Sequence, residues 1–111
     1  MNPEQIQKTG LTVKDWHNIM TSVQCFPEIE QLVLFGSRAI GNYKVGSDVD
    51  LAIKGQSIPY QTAIRLSEQL NEVLPLPYFF DVVNYADVQE PELVAHIDRV
   101  GVIIFDRAKL I

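Results

Sequence analysis

Between Gln31 and Ile53 this chain leaves itself few ways to fold. Gln31-Leu32-Val33-Leu34-Phe35 is a short apolar run that reads as a buried strand, and Gly36-Ser37 stops it. Residues 37–41 are expected to form a short helical turn, and Asn42–Ser47, with its Gly, Asn and Ser, a loop. Asp48–Ile53 then alternates strictly, with Val49, Leu51 and Ile53 on one face and Asp48, Asp50 and Ala52 on the other. Two strands joined by so short a connection are expected to pair antiparallel or within a locally mixed sheet.

The flanking segments predict helices and further strands. Residues 1–10 are polar and read as frayed. Thr12 is placed as an N-cap with Asp15 as its capping-box acid, followed by a stripe of Val13, Trp16, Met20 and Val23. Pro27 ends that helix or lies just past it. Gly55–Ser57 reads as a turn. Pro59 suits the first turn of a helix running to about Leu74, with Ala63, Leu66, Leu70 and Val73 buried and Arg65, Glu68, Gln69 and Glu72 facing water. Tyr78–Tyr85 reads as a strand. Pro91 opens a last helix striped by Leu93, Ile97 and Val100 and closed by Gly101. Val102–Phe105 is a final short strand. Helices alternating with strands predict one α/β (α+β) domain over residues 1–111, a mixed twisted sheet flanked by helices.

Bulk properties exclude some classes. No apolar run reaches the roughly 18 residues a membrane span needs, and Met1-Asn2-Pro3-Glu4-Gln5 lacks the layout of a signal peptide, so a cytoplasmic location is expected. The lone Cys25 cannot form an internal disulfide and is read as a buried structural thiol. Nine Lys/Arg against fourteen Asp/Glu give a net charge of −5, which opposes direct nucleic-acid binding and fits acids that hold metal ions or a basic partner.

Chemistry concentrates in three carboxylates and a turn. Asp48 and Asp50, two apart on a strand, lie about 6.5–7 Å from each other along one face. A bare Asp-x-Asp is most often a solvated strand end. Close behind a Gly-Ser turn, the pair instead reads as a site for Mg²⁺, which prefers oxygen ligands and takes one or two carboxylates plus substrate phosphates. Gly36 and Ser37 offer backbone N–H groups and a hydroxyl that can cradle phosphate, although Gly-Lys-Ser/Thr is absent and this is no P-loop. Arg38 reaches a phosphate oxygen or pairs with a surface acid. Asp81 interrupts an apolar, aromatic strand, where an unpartnered acid is expensive. If that strand pairs with 48–53, Asp81 comes within about 5 Å of one of the acids there, to ligate metal or to deprotonate an attacking hydroxyl; otherwise it is a charge guarding an edge strand. His17 and His96 flank helical stripes without a zinc-spaced partner and read as structural. Lys44 reads as a solvated loop residue, and Tyr43 stacks on a base or covers the loop.

Gly36-Ser37, ten intervening residues, then Asp48-Val49-Asp50, together with Arg38-Ala39, Gly41, Gly46 and Ser47, resembles the signature of the minimal nucleotidyltransferase (MNT) branch of the DNA polymerase β-like nucleotidyltransferases. The likeness extends from about Leu32 to Phe105. It implies the polymerase β-like fold. It also implies that Gly36, Ser37 and Arg38 bind the nucleotide, and that Asp48, Asp50 and Asp81 form a catalytic triad holding Mg²⁺, two ions in the usual case. Ile40 stands where relatives are often basic, so one electrostatic contact is missing. The activity implied is transfer of a nucleoside monophosphate, AMP from ATP, to an acceptor hydroxyl with release of pyrophosphate.

Stand-alone MNT proteins resemble antitoxins paired with HEPN-domain toxins. This implies a HEPN toxin as partner and protein substrate, in a homo- or hetero-oligomer. Two other readings compete: a binding antitoxin that occludes its partner without catalysis, and an enzyme acting on a small-molecule hydroxyl.

Overall fold

The computed structural model describes residues 1–74 and 76–109. The predicted strands are all present: β1 (Gln31–Phe35), β2 (Val49–Lys54), β3 (Phe80–Asn84) and β4 (Val102–Asp106). They form one sheet in the order β3-β2-β1-β4. β1 runs antiparallel to β2 and β4, whereas β2 and β3 are parallel. The short β1–β2 connection gives the antiparallel pair expected of it, and the parallel β2–β3 pair makes the sheet mixed. Among the described residues five α-helices accompany it: α1 (Pro3–Gln7), α2 (Val13–Gln24), α3 (Ser37–Ile40), α4 (Gln61–Glu68) and α5 (Pro91–Val100).

Strand alternation divides the apolar side chains between two faces. Leu32, Leu34, Val49, Leu51, Ile53 and Phe80 join Ile19, Val23, Leu66 and Leu70 in the main core, which also takes Ile6 from α1. The opposite face carries a smaller cluster, Val33, Phe35, Ala52 and Ile97, with Val83, Leu93 and Val100 packed against it. Among the described residues α5 supplies the helical cover on that side, and its expected stripe is the one that packs.

Several expectations change. The N-terminal residues are ordered: Asn2 caps α1 in a capping box with Gln5, and Ile6 is buried. The Thr12–Asp15 box forms as read. The buried line of α2, however, runs through Asp15, Ile19, Ser22 and Val23, while Val13 is 49% exposed. Hydropathy misses this line because two of its members are polar and Asp15 has partners to satisfy it. Cys25, at the C-cap of α2, is exposed rather than buried. Thr62 takes an inward position on α4 and donates to Glu28 Oε2 at 2.6 Å.

The helix continues past Glu68 as a π-helical turn, Gln69–Val73. Widening the turn by one residue rotates the end of the helix out of the α-helical register, and Val73, expected inside, is 66% exposed. Pro75, directly after the expected end of this helix, lies outside the described residues. Among those residues, no helix is long and apolar enough to cross a membrane.

Candidate active site

Strand register puts two of the three acids side by side. Phe35 of β1 faces Asp50 of β2, and Asp50 faces Asp81 of β3. The next row on the same face is Val33, Ala52 and Val83. Asp50 and Asp81 are thus direct neighbours across a parallel pair. Asp48 lies one residue before β2 and is exposed. Asp81 is exposed, and Asp50 half-buried.

Asp50 carries the electrostatic load. Burial raises its pKa, and the charges of Asp81 and Asp48 push it further in the same direction, while His96 opposes them. Among the described residues no group of three His, Cys, Asp or Glu side chains is gathered as a metal-binding cluster. The expected three-carboxylate set is therefore an Asp50–Asp81 pair with Asp48 beside it at the strand entrance, and not a closed cage. Its donors are all oxygens and mutually repelling. That chemistry fits a hard divalent cation such as Mg²⁺, which supplements a few carboxylates with water and phosphate oxygens.

The Gly-Ser turn is shaped around Asp50. Gly36 has φ 75° and ψ −158°, a region only glycine occupies readily. A Cβ there would collide with Oδ2 of Asp50, so the backbone lies directly against this carboxylate. Gly36 O accepts from the N–H groups of Ala39 and Ile40, closing α3 at 3.2 and 3.1 Å. Ser37, half-buried at the start of α3, has its hydroxyl uncommitted among the described residues.

Arg38 departs from both of its readings. Its guanidinium is buried, 3% exposed, and donates to Ser47 O at 2.8 and 3.2 Å and to Thr9 O at 2.9 Å. It also lies over the rings of Tyr43 and Tyr78. With three of its five N–H donors on carbonyls, it clamps the Thr9 and Ser47 backbone. Its grip on Ser47 holds the backbone immediately before Asp48. Tyr43 covers this guanidinium rather than standing free for a base. Gly10, at φ 79°, lets both side chains approach, since a Cβ there would meet Arg38 and Tyr43.

Two further contacts beside the acid row were not legible in the sequence. Asn71 sits in the π-helical turn. Its amide nitrogen donates to Phe80 O at 2.9 Å, and its amide oxygen accepts from Phe80 N at 2.7 Å. The residue before Asp81 is thereby held at both its polar atoms, as a neighbouring strand would hold it. His96, read as structural, brings its ring from α5 edge-on to Phe35, centroids 6.0 Å apart. The only sequence signal for Asn71 was a polar residue on a helix followed by a strand. For His96 it was a position adjacent to the apolar stripe. His17 is exposed and remote from such contacts.

The acid row lies on open surface. The main clefts of the described residues lie elsewhere: one of about 670 Å³ beside α3, lined by Lys8, Arg38 and Tyr43, and one of about 660 Å³ between the Lys54 and Arg107 ends of β2 and β4. Neither is lined by Asp48, Asp50 or Asp81.

The architecture has known counterparts. A chain in the crystal structure of a toxin–antitoxin complex with AMP-PNP superposes with TM-score 0.68 at 19% identity, over 82% of this chain and 73% of that one. The tri-AMPylated Shewanella oneidensis HEPN toxin in complex with MNT antitoxin gives 0.63 at 17% identity, over 84% and 71%. A nucleotidyltransferase-like protein from Sulfolobus solfataricus gives 0.58 at 20% identity, over 98% and 93%. No curated protein sequence matches. At these identities the likeness shows the fold. The sequence itself matches the description "Polymerase beta, Nucleotidyltransferase" over residues 17–110, a span holding the Gly-Ser turn and all three acids. The chain belongs to the polymerase β nucleotidyltransferase family.

Proposed function

We propose that this chain transfers AMP from ATP to a hydroxyl of a HEPN-domain toxin and acts as that toxin's antitoxin. The observation that carries the reading is the in-register Asp50–Asp81 pair lying against the Gly36-Ser37 turn. The open setting of the acids supports a macromolecular acceptor, because no enclosing pocket for a small molecule surrounds them among the described residues. The Shewanella neighbour supports the chemistry, being a HEPN toxin already carrying AMP beside its MNT antitoxin.

In the proposed reaction the acceptor oxygen attacks the α-phosphorus, the α–β phosphoanhydride bond breaks, and pyrophosphate leaves. The acceptor's proton passes to a carboxylate, with Asp81, exposed at the sheet edge, placed to receive it. Asp48 and Asp50, with Asp81, would hold Mg²⁺, which supplies charge neutralisation at the phosphates. Ser37 and the backbone of the Gly36 turn hold the phosphates and orient them for in-line attack.

The test is incubation with labelled ATP, Mg²⁺ and the toxin encoded beside this chain's gene. Label on the toxin, abolished by Asp50→Asn, is expected. An unlabelled toxin, or labelling indifferent to that change, overturns the proposal. A second reading, occlusion without catalysis, draws on the acids not closing into a ligand cage. It requires that Asp48→Ala/Asp50→Ala protein still neutralise the toxin in cells.

A further inference from the structure

Helix α5 covers the face of the sheet that carries the Phe35–Asp50–Asp81 row. On it, Ile97 is buried and the neighbouring His96 is half-buried. The His96 ring meets the Phe35 ring at 80°, edge against face, with centroids 6.0 Å apart. Phe35 is the strand partner of Asp50. The imidazole therefore stands at the border of the acid row, near enough that its charge opposes the upward push on Asp50.

The imidazole is held by packing and by nothing polar. Among the described residues it makes no hydrogen bond or ion pair, and no buried side-chain nitrogen or oxygen lacks a partner, so its free nitrogens reach the surface. Without Mg²⁺, the three carboxylates present only negative charge to an incoming triphosphate. The cation nearest the turn in sequence, Arg38, is spent inside the fold. Beside the Ser37 hydroxyl and the backbone N–H groups of the Gly36 turn, His96 adds a side-chain N–H donor at the Phe35–Asp50 border.

We infer that His96 is a nucleotide-binding residue, donating an imidazole N–H to a phosphate oxygen of the nucleoside triphosphate lying over Asp50. The inference rests on the nucleotidyltransferase reading above and adds α5 to the binding site. Its geometry separates two parts of the ring: the edge-to-face contact with Phe35 fixes orientation, and a nitrogen does the binding.

Two variants separate these parts. His96→Phe keeps an aromatic ring against Phe35 and removes the donor, whereas His96→Gln restores an N–H donor without the ring. Calorimetric titration with AMP-PNP and Mg²⁺ reads binding without turnover. A charged or phosphate-directed hydrogen bond is worth enough that His96→Phe should weaken binding roughly tenfold, with His96→Gln recovering most of it. In the transfer assay His96→Phe should raise the KM for nucleotide and leave kcat within a few-fold. Thermal melting of both variants reports that the fold is intact.

Wild-type affinity in a folded His96→Phe protein overturns the inference while leaving the proposed function standing. Equal weakening by both variants also overturns it, since a restored N–H donor would then be without effect. Failure of the wild-type protein to bind AMP-PNP overturns the nucleotide reading itself, and the inference with it.

Discussion

Asp50 is where function and stability pull apart. It is half-buried between two other acids, against a glycine whose missing Cβ makes room for it. A folded-state pKa above the free value means the fold prefers this group protonated, so at neutral pH its charge opposes folding. Asp50→Asn should abolish transfer yet raise stability by roughly 0.5 kcal/mol, after discounting for partial exposure, or about 2–4 °C in Tm. Mg²⁺ should raise the Tm of the wild-type protein and not that of the variant; melting with and without Mg²⁺ measures both. Gly36→Ala, which combines a glycine-only backbone with a collision against Oδ2, should cost about 1–3 kcal/mol and transfer activity together, read by denaturant unfolding and by the labelling assay. Asp48, Asp50 and Gly36 were legible because their spacing is local: a two-residue period and a turn glycine. Arg38 was not. Its partners Thr9, Ser47 and Tyr78 come from three distant segments, and a sequence shows a charge without showing what closes over it.

At the scale of elements, strands were read nearly to their ends, since short apolar runs bounded by Gly and Pro have few alternatives. Helices were harder. Val73 was placed inside by an α-helical count that the π-helical turn breaks, and that same turn gives Asn71 its role. Asn71 engages the N–H and the carbonyl of Phe80, substituting for a strand neighbour one residue before Asp81. Asn71→Ala leaves both of these Phe80 groups without the side chain and should cost about 1–3 kcal/mol. Because Phe80 adjoins Asp81, transfer should fall further than nucleotide binding does. Unfolding in urea, AMP-PNP titration and toxin labelling on the same variant test this. A loss confined to stability would show that Asn71 holds the strand without holding the acid. The contact of His96 with Phe35 was not legible for a related reason: helical periodicity identifies the face that packs, but it does not reveal which strand residue lies beneath its border.

Across the whole molecule, one polar chain ties the N-terminal half to the segment before β3. Thr12 and Asp15 cap α2, Tyr78 Oη donates to Asp15 Oδ2 at 2.6 Å, and Arg38 lies over the Tyr78 ring while gripping the residue before Asp48. Burial opposes the Asp15 charge, but the hydrogen bonds from Tyr78 and Thr12 and the charge of Arg38 outweigh it and lower its pKa below 3.8. Tyr78 is pushed up to about 12 by burial, by its bond to Asp15 and by the Asp15 charge. Linkage sets the signs. A lowered carboxylate contributes stability above its free value and loses it as pH falls through the folded one, so Asp15 contributes to an acid limb below about pH 4. A raised phenol contributes stability below its free value near 10 and loses it as pH climbs toward 12. Tyr78→Phe removes the shared bond. It should lower stability at pH 7 by roughly 1–2 kcal/mol once solvent screening is discounted, flatten the loss between about pH 10 and 12, and make the acid limb shallower as well. Urea unfolding of both proteins across about pH 3 to 11.5 gives the two curves. Parallel curves would show that Tyr78 contributes packing alone; convergence at both ends would show that the bond couples the helix cap to the segment leading into Asp81. Since Arg38 lies over the Tyr78 ring and phenylalanine keeps that ring, the variant should leave the loop before Asp48, and the KM for nucleotide, unchanged.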